Sequence, residues 1–360
     1  MSDTVYHALR EFLDRFPLGF PETETGVEIE ILKRLFTEEE ARLVVRLSPF
    51  LEEVDQIAER LGLEVDSLAD ELERMARKGL VFRIRRHGTI SYRVAPFMIG
   101  LYEYSIKRID RELAALFAEY YEAAYVDEMG ASSVPGFKVI PVEENVEAVD
   151  ALLPYQKLKE SVRAARRIAV TDCVCRKEAS LLGEPCDHPI ENCLSFGAAA
   201  DFYVESGLGR EITADEAIAI LERADASGLV HAGANSKHLS NICNCCPCCC
   251  ASMKGITKLG HDKGKYMNAL FEAVVDEAEC SACDVCVDRC PVGAIVVDDS
   301  AGVDRDKCLG CGLCASDCPT DAIRLVLRPD LEEPFDRISE MGIEVLKRKR
   351  AIAEKAAQSA

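Results

Sequence analysis

Apolar residues recur at helical spacing through the first third of the chain. Ile29, Ile31, Leu32 and Leu35, then Ala41, Val44, Val45 and Leu47, predict helix across residues 24–47. Residues 54–61 read as a short amphipathic helix stopped by Gly62. Val65, Leu68, Leu72 and Met75 mark one face of a second helix, closed by Gly79. The period then shortens to that of strands. Residues 80–84, a turn at His87-Gly88 and residues 90–94 predict a hairpin. Helical spacing returns over 98–126, where Leu101, Tyr102, Ile106, Leu113, Leu116, Phe117 and Tyr120 form a stripe expected to be core. Residues 1–20 predict one short helix and a turn. Gly130 to Pro141, with Ser132, Ser133, Pro135 and Gly136, predicts a boundary loop.

Beyond that loop the elements are shorter. Residues 167–170 predict a strand. Thr213 and Glu216 stand at capping-box spacing before a helix with Ala217, Ile218, Ile220 and Leu221, which ends near Gly228. Residues 273–275, 295–297 and 323–327 predict strands. A basic helix over 343–360 carries Lys347, Arg348, Lys349 and Arg350 and reads as solvated, or as a contact for an acidic surface. The expected class is α+β and multidomain. A helical domain spans 1–126, a Cys-rich α/β region 140–265, a third domain 272–327 and a C-terminal helix 334–360.

Composition adds one decisive fact: 18 cysteines. Eight of them form two copies of one pattern. Cys280, Cys283, Cys286 and Cys290 run C-x2-C-x2-C-x3-C before Pro291, and Cys308, Cys311, Cys314 and Cys318 repeat it before Pro319. Four thiolates at that spacing wrap a cubane iron–sulfur cluster. Zinc also accepts four thiolates, but usually from paired C-x2-C knuckles. Each copy predicts a strand, a tight ligand loop, a helix starting near the proline and a second strand, with Gly310 and Gly312 freeing the second loop.

The segment 272–327 resembles a bacterial dicluster ferredoxin. That resemblance implies two [4Fe–4S] clusters, with the fourth cysteine of each run ligating the other cluster. One cluster would take Cys280, Cys283, Cys286 and Cys318, and the other Cys308, Cys311, Cys314 and Cys290.

Ten cysteines remain. Cys173 and Cys175 follow the strand at 167–170, and Cys186 and Cys193 follow within the next loop. Cys243, Cys245, Cys246, Cys248, Cys249 and Cys250 crowd into eight positions. Neighbouring thiols diverge, so one ion cannot easily use all six. The set fits one or two further clusters, zinc or another soft metal, or a dithiol redox centre. The helix between the two stretches allows them to meet. His188 reads as a loop residue rather than a ligand. The CxCR stretch, the Gly-Leu-Val-His helix end and the CNCCxCCC run are similar to large anaerobe-type iron–sulfur proteins with a C-terminal dicluster ferredoxin.

Residues 27–97 resemble a winged helix-turn-helix domain. The second helix of the pair would enter the major groove. It carries Glu64, Asp66, Asp70, Glu71 and Glu73, which repel phosphate, while Arg83, Arg85, Arg86 and Arg93 leave the wing basic. Protein docking or dimerisation is therefore the expected use, and the net charge of −20 also opposes nucleic acid. Residues 276–327 hold four Lys/Arg against eleven Asp/Glu, which suits a redox partner with a basic docking surface. Ligand-spaced thiols and an N-terminus without a signal pattern predict a reducing cytoplasm. No run long and apolar enough for a membrane span is expected.

The sequence thus predicts an iron–sulfur electron-transfer protein serving a partner oxidoreductase. Two other readings stay open: an oxidoreductase with its reaction site in the Cys-rich centre, and a redox-sensing winged-helix regulator. No Gly-rich nucleotide loop or Ser/His/Asp set is apparent, and Gly207-Leu208-Gly209 is too short to be one.

Overall fold

The computed structural model describes residues 3–86, 88–146 and 157–359. The turn residue His87 lies outside them. The chain mixes helix and sheet and divides into two units. Met1–Glu128, Ala169–Cys186 and Phe196–Glu211 form the first, and Met129–Ile168, Asp187–Ser195 and Ile212–Ala360 the second.

In the first unit the predicted helices appear as Thr4–Leu13, Val27–Leu35, Glu38–Val44, Val54–Leu61 and Val65–Arg77. Thr37 opens the third with a reciprocal cap. Its hydroxyl accepts from the Glu40 N–H at 3.2 Å, and the Glu40 carboxylate accepts from the Thr37 N–H at 2.9 Å. Gly62 ends the Val54–Leu61 helix in the left-handed region, φ 66°. Leu68, Leu72 and Met75 are buried as expected, whereas Val65, in the first helical turn, is exposed. Val81–Arg86 and Thr89–Val94 pair antiparallel from Val81 opposite Val94 to Arg86 opposite Thr89. Glu52–Glu53 adds a short strand beside Thr89–Val94.

The segment 98–126 is not the continuous helix that its spacing predicts. It breaks into Tyr102–Tyr104, Arg111–Tyr120 and Val126–Met129, joined by tighter and wider turns. Ile99 sits at φ 49°, and the Asp110 carboxylate starts a new helix by accepting from the Leu113 N–H at 2.9 Å. The breaks turn aromatic rings from both sides onto one core. Phe97 lies 4.8 Å from Phe20, 4.9 Å from Tyr125 and 5.4 Å from Tyr120, centroid to centroid.

Arg83 is a second departure. It reads as a surface charge on the wing but is 2% exposed. Its guanidinium bridges Glu73 at 2.5 Å and Glu205 at 2.8 Å, and Arg85 shares both carboxylates. Arg93 lies over the Phe82 ring at 5.0 Å.

In the second unit five strands follow one another in the order Met267–Asn268, Phe137–Val139, Val230–Ala234, Asn241–Cys245, Glu191–Phe196. The first pair is parallel and the rest antiparallel. Phe137–Val139 is a strand inside the predicted loop 130–141. Only three residues long, it is recognisable through its neighbours on both sides rather than through its own pattern. The helix Ala214–Ala226 is present, and Thr213 caps it by accepting from the Glu216 N–H at 3.1 Å.

Phe271–Val275 pairs with Ile323–Leu327, and Ile295–Val297 with Ala301–Val303, both antiparallel. Phe271, Ile295, Ile323 and Leu325 close a core between these ribbons. The two short helices, Val285–Arg289 and Leu313–Ser316, end before Pro291 and Pro319 instead of starting there. Each begins after a left-handed residue, Asp284 or Gly312. A proline also pushes the residue before it out of the helical region, and Cys290 is extended at ψ 109°.

Candidate functional site

The third cysteine of each run, Cys286 and Cys314, lies inside its short helix, and the first two lie in the loop before it. Left-handed backbone shapes both loops. Ala282, Asp284 and Gly293 in the first copy match Gly310, Gly312 and Asp321 in the second, all at positive φ. These turns aim amide groups at sulfur. The Ala294 N–H donates to Cys290 Sγ at 3.1 Å, the Ala301 N–H to Cys280 Sγ at 3.4 Å and the Gly310 N–H to Cys308 Sγ at 3.4 Å. Such donors stabilise thiolates.

A cleft is lined by Cys290, Cys308, Cys311 and Cys314, with Pro291 and Ala294 beside them. One thiol thus comes from the first run and three from the second. Gly310 can only be glycine here, because a Cβ would stand 2.0 Å from the Phe271 carbonyl oxygen. The donor set, the aimed amides and the cleft fit a four-iron cluster.

The thiols sense one another in two sets. Burial pushes Cys311 up to about 12, with Cys308 and Cys290 adding to it. Burial also raises Cys314, helped by Cys311, Cys308, Cys290 and Cys286. Cys286 is raised by burial and then by Cys283, Cys280 and Cys318. For Cys318 burial works upward but is outweighed by the Thr320 amide and hydroxyl, so its thiol is lowered. Cys308, Cys311 and Cys314 are buried, whereas Cys280 and Cys318 are half-buried and Cys283 is exposed.

Contacts that sequence reasoning missed hold the second loop. The Val142 N–H donates to the Cys311 carbonyl at 3.0 Å. Asn145 donates to the Gly312 carbonyl at 3.0 Å and to Ser316 Oγ at 2.9 Å. Arg328 donates to the Cys308 carbonyl at 3.2 Å, and Lys263 donates to it as well. Arg289 forms an ion pair with Asp317 at 2.8 Å and reaches the Asp225 carbonyl at 2.8 Å. None of these residues carries a motif, because each acts through a backbone carbonyl or a single charge.

The other ten cysteines are distributed over both units. In the first unit Cys173 precedes the helix Val174–Leu181 as its cap residue and Cys175 lies within it. Tyr102 donates to Glu178 at 2.6 Å, and burial together with Cys175 and Glu178 raises its hydroxyl. Cys186 lies half-buried in the loop after that helix. In the second unit Cys193 is on the strand Glu191–Phe196, and Cys243 and Cys245 on Asn241–Cys245. Cys246, Cys248 and Cys249 bring their sulfur atoms within 4.8 Å of one another. Cys245 is in contact instead with Cys243 and Cys250, which raise its thiol well above the usual range ahead of burial. Cys246, Cys248 and Cys249 thus form one close group, and Cys245 meets Cys243 and Cys250. His188 forms no part of the Cys246, Cys248 and Cys249 group.

On the opposite face of the same strand Asn244 meets a histidine. His231 Nδ1 lies 2.6 Å from Asn244 Oδ1, and Asn244 donates to the Asn192 carbonyl at 2.5 Å. Burial lowers His231 and favours its neutral form.

The family model described as a 4Fe-4S binding domain matches residues 273–296 and 301–324, one match per copy of the motif. The C-terminal part of the chain is thus a ferredoxin-type 4Fe-4S binding domain, and it points to iron–sulfur electron transfer. No curated protein matches the chain, and no solved structure matches it. Among the described residues no helix is long and apolar enough to cross a membrane.

Proposed function

We propose that the chain is an electron relay that exchanges single electrons with a partner oxidoreductase in the cytoplasm. Two [4Fe–4S] clusters would supply the redox chemistry, one on Cys280, Cys283, Cys286 and Cys318, the other on Cys308, Cys311, Cys314 and Cys290. The reading rests on one observation: Cys290 shares its cleft with Cys308, Cys311 and Cys314. The neighbour sets that raise Cys286 and Cys314 support it. The polypeptide binds, orients and shields. Backbone amides donate to the sulfurs of Cys280, Cys290 and Cys308, and the ribbons keep water from the buried set. The exposed Cys283 side is the face we assign to the partner, because electron transfer needs close approach. Its acidic surroundings suit a basic partner surface.

We assign the winged-helix-like part of the first unit to protein docking rather than DNA. Arg83 and Arg85, two of the wing's four arginines, are already engaged by Glu73 and Glu205. The remaining cysteines are assigned to further metal binding.

Oxygen-free protein, analysed for iron and sulfide and titrated with reductant under EPR, tests the reading. The expected result is at least about eight irons per chain and two interacting low-potential signals. Colourless protein containing only zinc overturns it. Electron exchange with the partner should slow as salt rises.

A further inference from the structure

The strand Asn241–Cys245 pairs with Glu191–Phe196 in a fixed register: Leu194 opposite Ile242 and Ser195 opposite Asn241. Continuing that antiparallel register by one residue sets Cys193 opposite Cys243. Continuing it by two sets Asn192 opposite Asn244, and the hydrogen bond from Asn244 to the Asn192 carbonyl agrees. Residues directly opposite in an antiparallel pair share a face, and so do residues two apart along a strand. Cys193, Cys243 and Cys245 therefore lie on one face. On the other neighbouring strand, Ala232 and Val230 stand opposite Cys243 and Cys245.

Cys250 completes the group. The chain turns after Cys245, and the Cys250 N–H donates to the Cys246 carbonyl at 3.3 Å, folding the run back on itself. That turn returns Cys250 to the Cys245 thiol, while Cys246, Cys248 and Cys249 lie close to one another. Three thiols on one sheet face, with Cys250 brought to Cys245 by the turn, make a donor set for a soft centre, and the same register sets Glu191 opposite Cys245 at the strand end. The face opposite carries His231 and Asn244, so the only histidine on these strands points away from it.

We propose that Cys193, Cys243, Cys245 and Cys250 hold a third iron–sulfur cluster, separate from any centre on Cys246, Cys248 and Cys249. The proposal rests on the reading of the chain as an iron–sulfur electron carrier. Ferrous iron and sulfide are the components it requires, and each cysteine gives up its proton on ligation. A cluster there would extend the relay beyond the ferredoxin-type domain and give the Cys-rich strand an electron-transfer role.

The test compares full-length wild type with Cys243→Ser/Cys245→Ser and with Cys248→Ser/Cys249→Ser, all prepared without oxygen. Iron, sulfide and zinc are counted, and the reduced proteins are examined by EPR. The first pair should lose about four irons and about four sulfides relative to wild type, with the two ferredoxin signals intact. The second pair should leave those four irons in place. Unchanged iron in the first pair, loss of one zinc instead, or the same iron loss in both pairs would each overturn the proposal. Absence of the ferredoxin signals from wild type would instead defeat the electron-relay reading.

Should the first pair fail to fold, thiol alkylation of native wild type decides. Cys193, Cys243, Cys245 and Cys250 should resist alkylation as a group and become reactive together once iron is chelated. Alkylation of Cys193 or Cys250 in the iron-loaded protein sinks the proposal.

Discussion

Ala282 and Gly310, twenty-eight positions apart, adopt the same left-handed backbone, φ 51° and 64°. The sequence repeat is therefore also a conformational repeat. The two copies differ in how freely they reach that shape. Glycine enters it without steric penalty, whereas an L-residue such as alanine pays about 1 kcal/mol or more.

Ala282→Gly should consequently relieve strain, gaining up to about 1 kcal/mol in anaerobic denaturation, less the greater freedom of glycine in the unfolded chain. Gly310→Ala should do the reverse and lose cluster-dependent colour, because its methyl group would meet the Phe271 carbonyl at 2.0 Å. Equal stability in all three proteins would show that the two loops are not under the constraint inferred.

Cys290→Ser and Cys318→Ser separate crossed from sequential ligation. If Cys290 serves the second cluster, its replacement should disturb the buried centre held by Cys308, Cys311 and Cys314 while the other centre keeps its EPR signal. Cys318→Ser should affect the more exposed centre. Sequential ligation predicts the opposite assignment of signals, read in double variants with Cys283→Ser or Cys311→Ser.

Asn145→Ala removes donors to the Gly312 carbonyl and to Ser316. The expected cost is about 1 kcal/mol for each hydrogen bond. Because both acceptors flank Cys314, bleaching of the buried cluster under chelator should accelerate. An unchanged bleaching rate would place Asn145 outside the support of the loop.

Arg83→Met removes the buried one of the two cations that Glu73 and Glu205 share, leaving Arg85 between them. Loss of a buried charge partner costs about 3 kcal/mol or more, at the lower end here because both carboxylates are partly exposed. Arg83→Lys should recover only part of it, since an ammonium does not span both carboxylates as the planar fork does. Thermal melts of the three proteins make the comparison.

Lys138 is buried and donates to the Ser236 carbonyl at 2.8 Å, and burial lowers it to about 8. The unfolded chain then holds its proton above pH 8 while the folded chain releases it. Below pH 8 the charged form is disfavoured in the fold by the full amount. Stability from this group rises as pH climbs from about 8 to the ordinary lysine value of about 10.5. The difference between wild type and Lys138→Met should follow that rise, measured by urea denaturation. A difference that is flat from pH 7 to 10.5 would contradict it.

The eight motif cysteines, the Val54–Leu61 and Val65–Arg77 helices and the hairpin after them follow from residues close together in the chain. Ligand spacing, glycine stops and short-range periodicity carry that information locally, so the sequence alone determined them. The strand Phe137–Val139 and the burial of Lys138 and Arg83 depend on partners tens of residues away. Only the fold decided these, because a three-residue strand or a buried cation is stable through its neighbours and not through its own pattern. The sorting of the clustered thiols follows the same rule. Their number was plain from the sequence, but the register that faces Cys193 toward Cys243, and the turn that returns Cys250 to Cys245, exist only once the strands have paired.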